Sequence, residues 1–273
     1  MTDPTFVPDP AQPLEAQRVA FAQYVVDLAS QSRTNKELLA RLTDSLPADF
    51  LALIGEGSTR RTYATPLGIC VKVQREDVVS DPLSEAELEE RGGDPYLSQL
   101  GYRRRLANVS EMVFAACHPK LMPRQYGFLS NFGFLPPHPS VIITETCRPL
   151  DLFLPNDGHG IETEDMGIDE QGQLWIFDSR LTSQKRPAHL TPFESMAGKD
   201  ETVIWLGNLA VSADGKYVLI DRSDHAKVAP ILTPWLTLSE WGWTLNGTPA
   251  QNLEFSKVLL TEYQQAANPK KGD

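Results

Sequence analysis

A glycine-containing segment at residues 54–74 constrains the fold of this chain more than any other feature. Its sequence, IGEGSTRRTYATPLGICVKVQ, predicts a strand, a glycine turn, a second strand, another turn and a third strand. Gly55 and Gly57 allow the backbone to turn sharply and to approach a ligand closely, because glycine has no Cβ. The third strand alternates like a half-buried strand, and its apolar members are Ile69, Val71 and Val73. Lys72 is therefore predicted to leave the opposite face, where its cation is available to phosphate oxygens.

Composition and charge narrow the classes of function. The chain has 273 residues, 41% of them hydrophobic and 22% charged, as in an ordinary globular protein of one large or two small domains. A formal net charge of -11 argues against general binding to nucleic acids or anionic membranes, because both require clustered lysine and arginine. It is compatible with docking on a basic partner surface. The three cysteines are widely spaced and no long apolar run occurs, so we predict a cytoplasmic protein with reduced thiols and no membrane segment.

The two ends of the chain differ from its middle. Residues 1–13 contain four prolines and are predicted to form a disordered lead, and residues 269–273 a disordered tail. Residues 14–48 have the apolar spacing of one or two amphipathic helices, with a break near residues 30–35. We expect this helical extension to cover the sheet that contains the glycine segment, and a homodimer surface is the alternative use.

A second helical region follows the glycine segment. A Ser-x-x-Glu capping box at residues 84–87 opens an acidic helix, and a longer helix is predicted at about residues 96–117. Glu111 lies within the longer helix, which ends at His118-Pro119 because proline disfavours a helical conformation in the residue before it. Two strands are predicted next, at residues 121–128 and 140–146.

The order of these elements resembles the N-lobe of the protein-kinase-like fold, and it is most similar to the small, divergent kinases encoded by bacteriophages and their bacterial relatives. The motifs that carry the resemblance are Gly55-x-Gly57, Val71-Lys72-Val73, Asn108-Val109-Ser110-Glu111 and His118-Pro119-Lys120-Leu121-Met122-Pro123. The resemblance implies that Lys72 pairs with Glu111 and holds the α- and β-phosphates of ATP. A solvent-facing Glu111 is the alternative. Arg60 stands where a third glycine is usual, which departs from the family pattern.

Two segments further along the chain predict hairpins that end in an aspartate. One runs from residue 165 to 178 and the other from 208 to 221, so the spacing is 13 residues in both. Each predicts a strand, a turn at Gln171-Gly172 or Asp214-Gly215, and a second strand. Plain surface hairpins whose final aspartates begin turns are the structural interpretation of both.

The kinase resemblance implies that one of these hairpins carries the ligands of Mg²⁺, an asparagine at its start and an aspartate at its end. The second hairpin matches better, because it begins with Asn208 and ends with Asp221. Asp165 and Asp178 of the first hairpin are the alternative pair. ATP and Mg²⁺ are therefore the expected cofactors.

The catalytic loop departs from the family. An active kinase has an aspartate five residues before the asparagine, which orients and deprotonates the acceptor hydroxyl. That position is Val203 before Asn208 and Gly160 before Asp165, and neither side chain accepts a proton. Asp200 is the candidate replacement.

The C-terminal part contains a tryptophan-rich segment and a final helix. Its indole side chains are expected to lie in the core, with a recognition patch as the alternative, and they belong to Trp235, Trp241 and Trp243. A helix over about residues 250–267 is predicted to close the fold.

These features predict an α+β, protein-kinase-like two-lobed fold. The N-lobe, residues 49–146, is expected to have an antiparallel sheet and one main helix, and residues 147–268 are expected to form a reduced or atypical C-lobe. The favoured function is a degenerate kinase-like protein that binds a nucleotide and acts mainly by binding a partner protein. An active ATP- and Mg²⁺-dependent Ser/Thr protein kinase of phage type is the alternative. An acidic structural or inhibitory module, in which the glycine segment is incidental, is the third interpretation.

Overall fold

Helices and antiparallel sheets together make this an α+β protein. The computed structural model describes residues 5–57, 60–75, 107–130, 139–154, 160–193, 202–220, 236–239, 242–245 and 249–268. The α-helices of this part are α1 (Leu14–Gln31), α2 (Asn35–Ser45), α3 (Ala107–Cys117) and α4 (Pro249–Ala267). None of them combines the length and the apolar character that crossing a membrane requires. The kinase-like two-lobed arrangement stays a prediction.

The first sheet has five strands in the order β1-β2-β3-β5-β4, and every neighbouring pair is antiparallel. Its strands are β1 (Ala52–Glu56), β2 (Arg60–Ala64), β3 (Ile69–Gln74), β4 (Gln125–Leu129) and β5 (Val141–Glu145). The glycine segment thus forms three consecutive strands, as its pattern predicts. Between β2 and β3 the chain turns through Gly68, whose φ of 70° lies in the left-handed region that glycine adopts readily.

The N-terminal helices cover one face of the first sheet. Side chains of α1 and α2 share an apolar core with the strands, and this core includes Phe21, Val25, Leu38, Ile69, Val71 and Ile143. This packing agrees with the expected use of the helical extension, whose two helices are separated at residues 32–34. Phe6, which lies in the predicted lead, contacts the ring of Phe21.

The other face of the first sheet packs against α3 and α4. The apolar core on this side includes Val109, Met112, Phe128, Ile142, Phe255 and Leu259. Strand β3 is therefore buried on both faces, whereas its alternating sequence predicted a half-buried strand. Strand β4 also meets helices on both sides, because Gly127 packs against α1 and the Tyr263 hydroxyl of α4 accepts a hydrogen bond from Gln125 N at 3.1 Å.

The described strands after residue 147 are short. They are β6 (Arg148–Pro149), β7 (Ile161–Glu162), β8 (Met166–Ile168), β9 (Leu174–Ile176), β10 (Thr191–Pro192), β11 (Val203–Ile204), β12 (Leu209–Val211), β13 (Tyr217–Leu219), β14 (Leu236–Ser239) and β15 (Gly242–Leu245). Six of them form the second sheet in the order β10-β8-β9-β13-β12-β6, while β7 pairs with β11 and β14 with β15. Strands and 3-10 turns are the regular elements described between residues 118 and 245.

Both predicted aspartate hairpins form, and they share one backbone design. A 3-10 turn precedes each hairpin, Thr163–Asp165 before β8 and Leu206–Asn208 before β12. The turn glycines, Gly172 and Gly215, have φ values of 81° and 82°. Phe177 N donates to Asp165 O at 2.7 Å in the first hairpin, and Ile220 N donates to Asn208 O at 2.8 Å in the second.

Several predicted features lie outside the described residues. They are the capping box at 84–87, the longer helix before residue 107, Asp200, Asp221, Trp235, Trp241 and the tail at 269–273. The final helix is described and runs from Pro249 to Ala267, close to its predicted bounds.

Candidate functional site

A cavity of about 220 Å³ lies between the first sheet and the second hairpin. The glycine segment, the lysine strand and the link after β5 form most of its wall, and Gly207 and Ile220 of the second hairpin line it too. The volume is below the roughly 300–1,000 Å³ of a typical ligand pocket. The cavity is therefore smaller than a typical ligand pocket and would enclose only part of a larger ligand.

The two glycines of the segment face open space. A Cβ added at Gly55 would meet no atom within 4 Å, and at Gly57 the nearest atom would be Arg60 O at 3.8 Å. Neither residue has a positive φ. Among the described residues, neither the packing nor the backbone conformation requires glycine here. A ligand could therefore approach the backbone closely at these positions.

Lys72 lines the cavity and contacts Glu111, which lies behind the cavity wall. Lys72 Nζ donates to Glu111 Oε1 at 2.7 Å, joining β3 to α3. The exposed fractions of the two residues are 8% and 0%. The structure thus brings together the two residues that the resemblance pairs, and a solvent-facing Glu111 is wrong.

Arg60 is a second cationic partner of Glu111. Its Nη1 donates to Glu111 Oε2 and also to Asn108 Oδ1, the latter at 3.2 Å, and Arg60 is 5% exposed. Burial alone would raise the pKa of Glu111, but the Arg60 and Lys72 cations outweigh it and hold that pKa below its ordinary value. Glu111 is consequently ionised at neutral pH. The sequence pattern does not predict this role of Arg60, because at position 60 the kinase resemblance indicates only the loss of a third glycine.

A buried polar chain connects this ion-pair cluster to the N-terminal helices. Asn108 Nδ2 donates to Ser140 Oγ at 2.9 Å, and Ser140 N donates to Asn35 Oδ1 at 2.9 Å. All three residues are buried. Asn35 is the first residue of α2, so the helical extension is hydrogen-bonded to the network that holds Glu111.

The link that follows β5 forms another wall of the cavity. Glu145, Cys147 and, from β3, Cys70 line it. Burial raises the pKa of Cys70 to about 11 and that of Cys147 to about 12, so both thiols are protonated at neutral pH and neither is a thiolate nucleophile. Glu145 Oε1, at the end of β5, accepts a hydrogen bond from Ala213 N at 2.8 Å, which connects this end of the strand to the turn of the second hairpin.

The candidate metal ligands are divided between the two hairpins. Asn208 is exposed at the start of the second hairpin and follows Gly207 of the cavity wall, and its predicted partner Asp221 lies outside the described residues. In the first hairpin, Asp178 is buried and its carboxylate accepts hydrogen bonds from Arg180 Nε and Nη2 at 2.9 and 2.8 Å. These bonds hold the pKa of Asp178 below its ordinary value despite its burial.

The first hairpin does not contribute to the described lining of the cavity. Asp165, the other member of the alternative pair, is partly buried at the end of its 3-10 turn. Within the described ranges, no three or more His, Cys, Asp or Glu residues are grouped so that they would hold a metal ion.

The position at which the kinase resemblance implies a catalytic base is part of a strand. Val203 belongs to β11 and pairs with Glu162 of β7. Gly160, its counterpart before the first hairpin, is packed so closely that an added Cβ would lie 2.2 Å from Ile204 O. Neither position supplies a proton acceptor, and Asp200 lies outside the described residues.

Comparisons of the chain with protein-family models, curated proteins and solved structures give no significant match. The interpretation of the site depends on its own residues and geometry.

Proposed function

We propose that this protein is a degenerate, kinase-like nucleotide-binding protein that acts mainly by binding a partner protein. One observation carries the nucleotide part of the proposal. It is the buried Lys72–Glu111 pair at the wall of a cavity that the open glycines Gly55 and Gly57 border.

The chemistry of the pair suits a phosphate. A lysine ammonium has three N–H donors, and Lys72 uses one of them on Glu111, so two are available to phosphate oxygens. Pairing with a fixed carboxylate also restricts a side chain that otherwise samples many rotamers. Of the preferred pair of Mg²⁺ ligands, Asn208 is described and Asp221 lies outside the described residues, and a single amide does not make a Mg²⁺ site. The proposal therefore uses no magnesium-dependent step.

Partner binding is favoured over catalysis because the base position is a valine. The surface near the cavity also presents large apolar side chains to solvent. Leu152 is 74% exposed, Phe153 50% and Trp205 60%. The 3-10 turn Leu150–Leu152 contacts the turn Leu206–Asn208, so these side chains belong to neighbouring elements. A contiguous group of exposed apolar side chains is typical of protein-binding surfaces, and we propose that these three form one.

Thermal unfolding with and without millimolar ATP, in the presence and absence of MgCl₂, tests nucleotide binding. A ligand at a hundred times its Kd adds about 2.7 kcal/mol to stability, and we expect wild type to shift upward by several degrees. Lys72→Met should abolish the shift. Lys216→Met, an exposed lysine on the second hairpin, is the matched control and should keep it. Absence of a shift in wild type would contradict nucleotide binding and favour the structural or inhibitory module. An equal shift in Lys72→Met would instead contradict the role of Lys72 and place the nucleotide elsewhere on the protein.

An active phosphotransferase is the second candidate. The observation that favours it is the contribution of Gly207 and Ile220 to the cavity, since these residues adjoin Asn208 and Asp221. Transfer of radiolabel from γ-labelled ATP to a generic acceptor, or to the protein itself, would support it. That label should disappear in Asp221→Ala and Asp200→Ala but persist in Asp165→Ala. Persistence of the label in Asp221→Ala would exclude the second hairpin as the metal-binding one.

A further inference from the structure

We propose that Arg60 is a positioning residue that anchors Glu111, so that Lys72 is available to the phosphates of a ligand. The anchoring concerns the protein alone, whereas its effect on a ligand rests on the proposed nucleotide-binding function. The juxtaposition that carries it is one buried carboxylate between two buried cations from neighbouring strands.

The two cations use different oxygens of the same carboxylate. Arg60 Nη1 donates to Oε2 and Lys72 Nζ donates to Oε1. Strands β2 and β3 pair so that Arg60 lies opposite Gln74, two residues beyond Lys72, and both cations reach Glu111 on α3 from the same sheet. Neither contact therefore competes with the other for an acceptor atom.

Arg60 is held more firmly than Lys72. Its guanidinium is a rigid planar fork, and it also donates to Asn108 Oδ1, which belongs to the chain through Ser140 to Asn35. The described contact of Lys72 is the single hydrogen bond to Glu111, made by a flexible four-carbon side chain. Arg60 is thus fixed by the surrounding polar chain, whereas among the described residues Lys72 is fixed by Glu111.

This difference has a consequence for ligand binding. Loss of the cationic partner of a buried carboxylate strongly destabilises the folded protein, because the negative charge is left without a partner and without water. If Lys72 turned toward a phosphate, Glu111 would still be paired with Arg60. Lys72 can therefore leave Glu111 without leaving a buried charge unpaired, which makes binding of the phosphate less costly.

Urea unfolding without ligand tests the anchor. Arg60→Gln should lower the urea midpoint more than Lys72→Met, because it removes two contacts and leaves Glu111 with the flexible partner. Arg61→Gln is the matched control, since Arg61 is the next residue of β2 and pairs with Glu56 at the partly exposed edge. It should keep the wild-type midpoint. A midpoint in Lys72→Met as low as in Arg60→Gln would overturn the assignment.

The affinities for ATP and adenosine test the effect on the ligand. In Arg60→Gln the preference for ATP over adenosine should fall at least tenfold, while adenosine binding stays within twofold of wild type. Arg60→Lys keeps the positive charge but not the planar guanidinium, so it should recover part of the preference for ATP over adenosine. It also serves as the second variant if Arg60→Gln does not fold. In a Glu111→Gln background, Arg60→Gln should cause no further loss, since Arg60 acts through Glu111. A retained preference, or an equal loss of both ligands, would overturn the proposal.

The two measurements separate this inference from the proposed function. If wild type binds no ATP and the urea ranking holds, nucleotide binding fails and the anchoring of Glu111 by Arg60 stands. If ATP binds in a Lys72-dependent manner and Arg60→Gln behaves like Arg61→Gln, nucleotide binding stands and the positioning role of Arg60 fails.

Discussion

The two aspartate hairpins have nearly the same backbone and different surroundings. Both follow a 3-10 turn, reverse direction at a glycine with φ near 80°, and close with a hydrogen bond to the carbonyl at the start of the hairpin. In the first, Arg180 binds the carboxylate of Asp178 and also donates to Gly160 O. The second borders the cavity through Gly207 and Ile220. The same hairpin backbone therefore occurs twice in this protein, and the surroundings of each copy determine whether it lines the candidate site.

The largest effect that separates the hairpins is expected for the ion pair of the first one. Arg180→Met should lower the free energy of unfolding by about 2–3 kcal/mol, because it leaves the buried carboxylate of Asp178 with a backbone N–H as its remaining partner. Lys216→Met removes the exposed ion pair with Asp214 in the second hairpin and should cost less than about 0.5 kcal/mol. Equal urea midpoints for the two variants would contradict this difference.

The turn glycines should respond alike, because the two turns have the same conformation. Gly172→Ala and Gly215→Ala should each cost about 1–2 kcal/mol, since a residue with a Cβ is strained at positive φ. Gly207→Ala is the control for stability, as this glycine has no positive φ and an added Cβ would meet nothing within 4 Å. A cost at only one turn, measured by urea unfolding, would show that the hairpins are not equivalent.

Acid should affect the first hairpin more than the second. Arg180 lowers the folded-state pKa of Asp178, so the ionised carboxylate stabilises the fold above its unfolded pKa of about 3.9, and this stability is lost as the pH falls through the lower, folded pKa. Asp178→Asn should therefore lose less stability than wild type between pH 7 and pH 3. Lys216 and Ser212 also lower the pKa of Asp214, but Asp214 is exposed to solvent. Asp214→Asn should therefore change the loss of stability between pH 7 and pH 3 less than Asp178→Asn does. Urea midpoints at both pH values measure these differences.

The smallest effect on stability is expected at Asn208. Its side chain is exposed, so Asn208→Ala should change the free energy of unfolding by less than about 0.5 kcal/mol. If the second hairpin binds Mg²⁺, the same substitution should reduce the part of the ATP-induced thermal shift that depends on MgCl₂. A large loss of stability in the absence of ligand would instead assign Asn208 a structural role.

The sequence predicted elements whose signals are local. The Asp-Gly and Gln-Gly turns located both hairpins, and helical periodicity located the N-terminal helices, their break and the final helix. Such patterns report conformational preferences of neighbouring residues, which the fold retains. Lys72 and Glu111 were identified through the kinase resemblance, and the structure places them in contact.

Contacts between distant residues had no signal of this kind. Arg60 reaches Glu111 across 51 residues, and Ser140 reaches Asn35 across 105. The pairing of β7 with β11 likewise depends on the overall fold. From sequence alone, an arginine in a predicted strand is expected to be solvated. Arg60 is buried because α3 packs against the first sheet and places Glu111 within reach of its guanidinium.

Strand β4 has a consequence for the biosynthesis of this protein. It packs against α1 on one side and α4 on the other, so it contacts segments that are translated first and nearly last among those described. The N-terminal helices leave the ribosome long before the strands that cover their apolar faces, and β4 must wait for residues near 263. Contacts of such high sequence separation slow folding, because loop-closure entropy is lost before they form. The apolar faces of the N-terminal helices therefore stay uncovered until the strands up to β5 have been made, and the opposite face of the sheet stays uncovered until the final helix has been made.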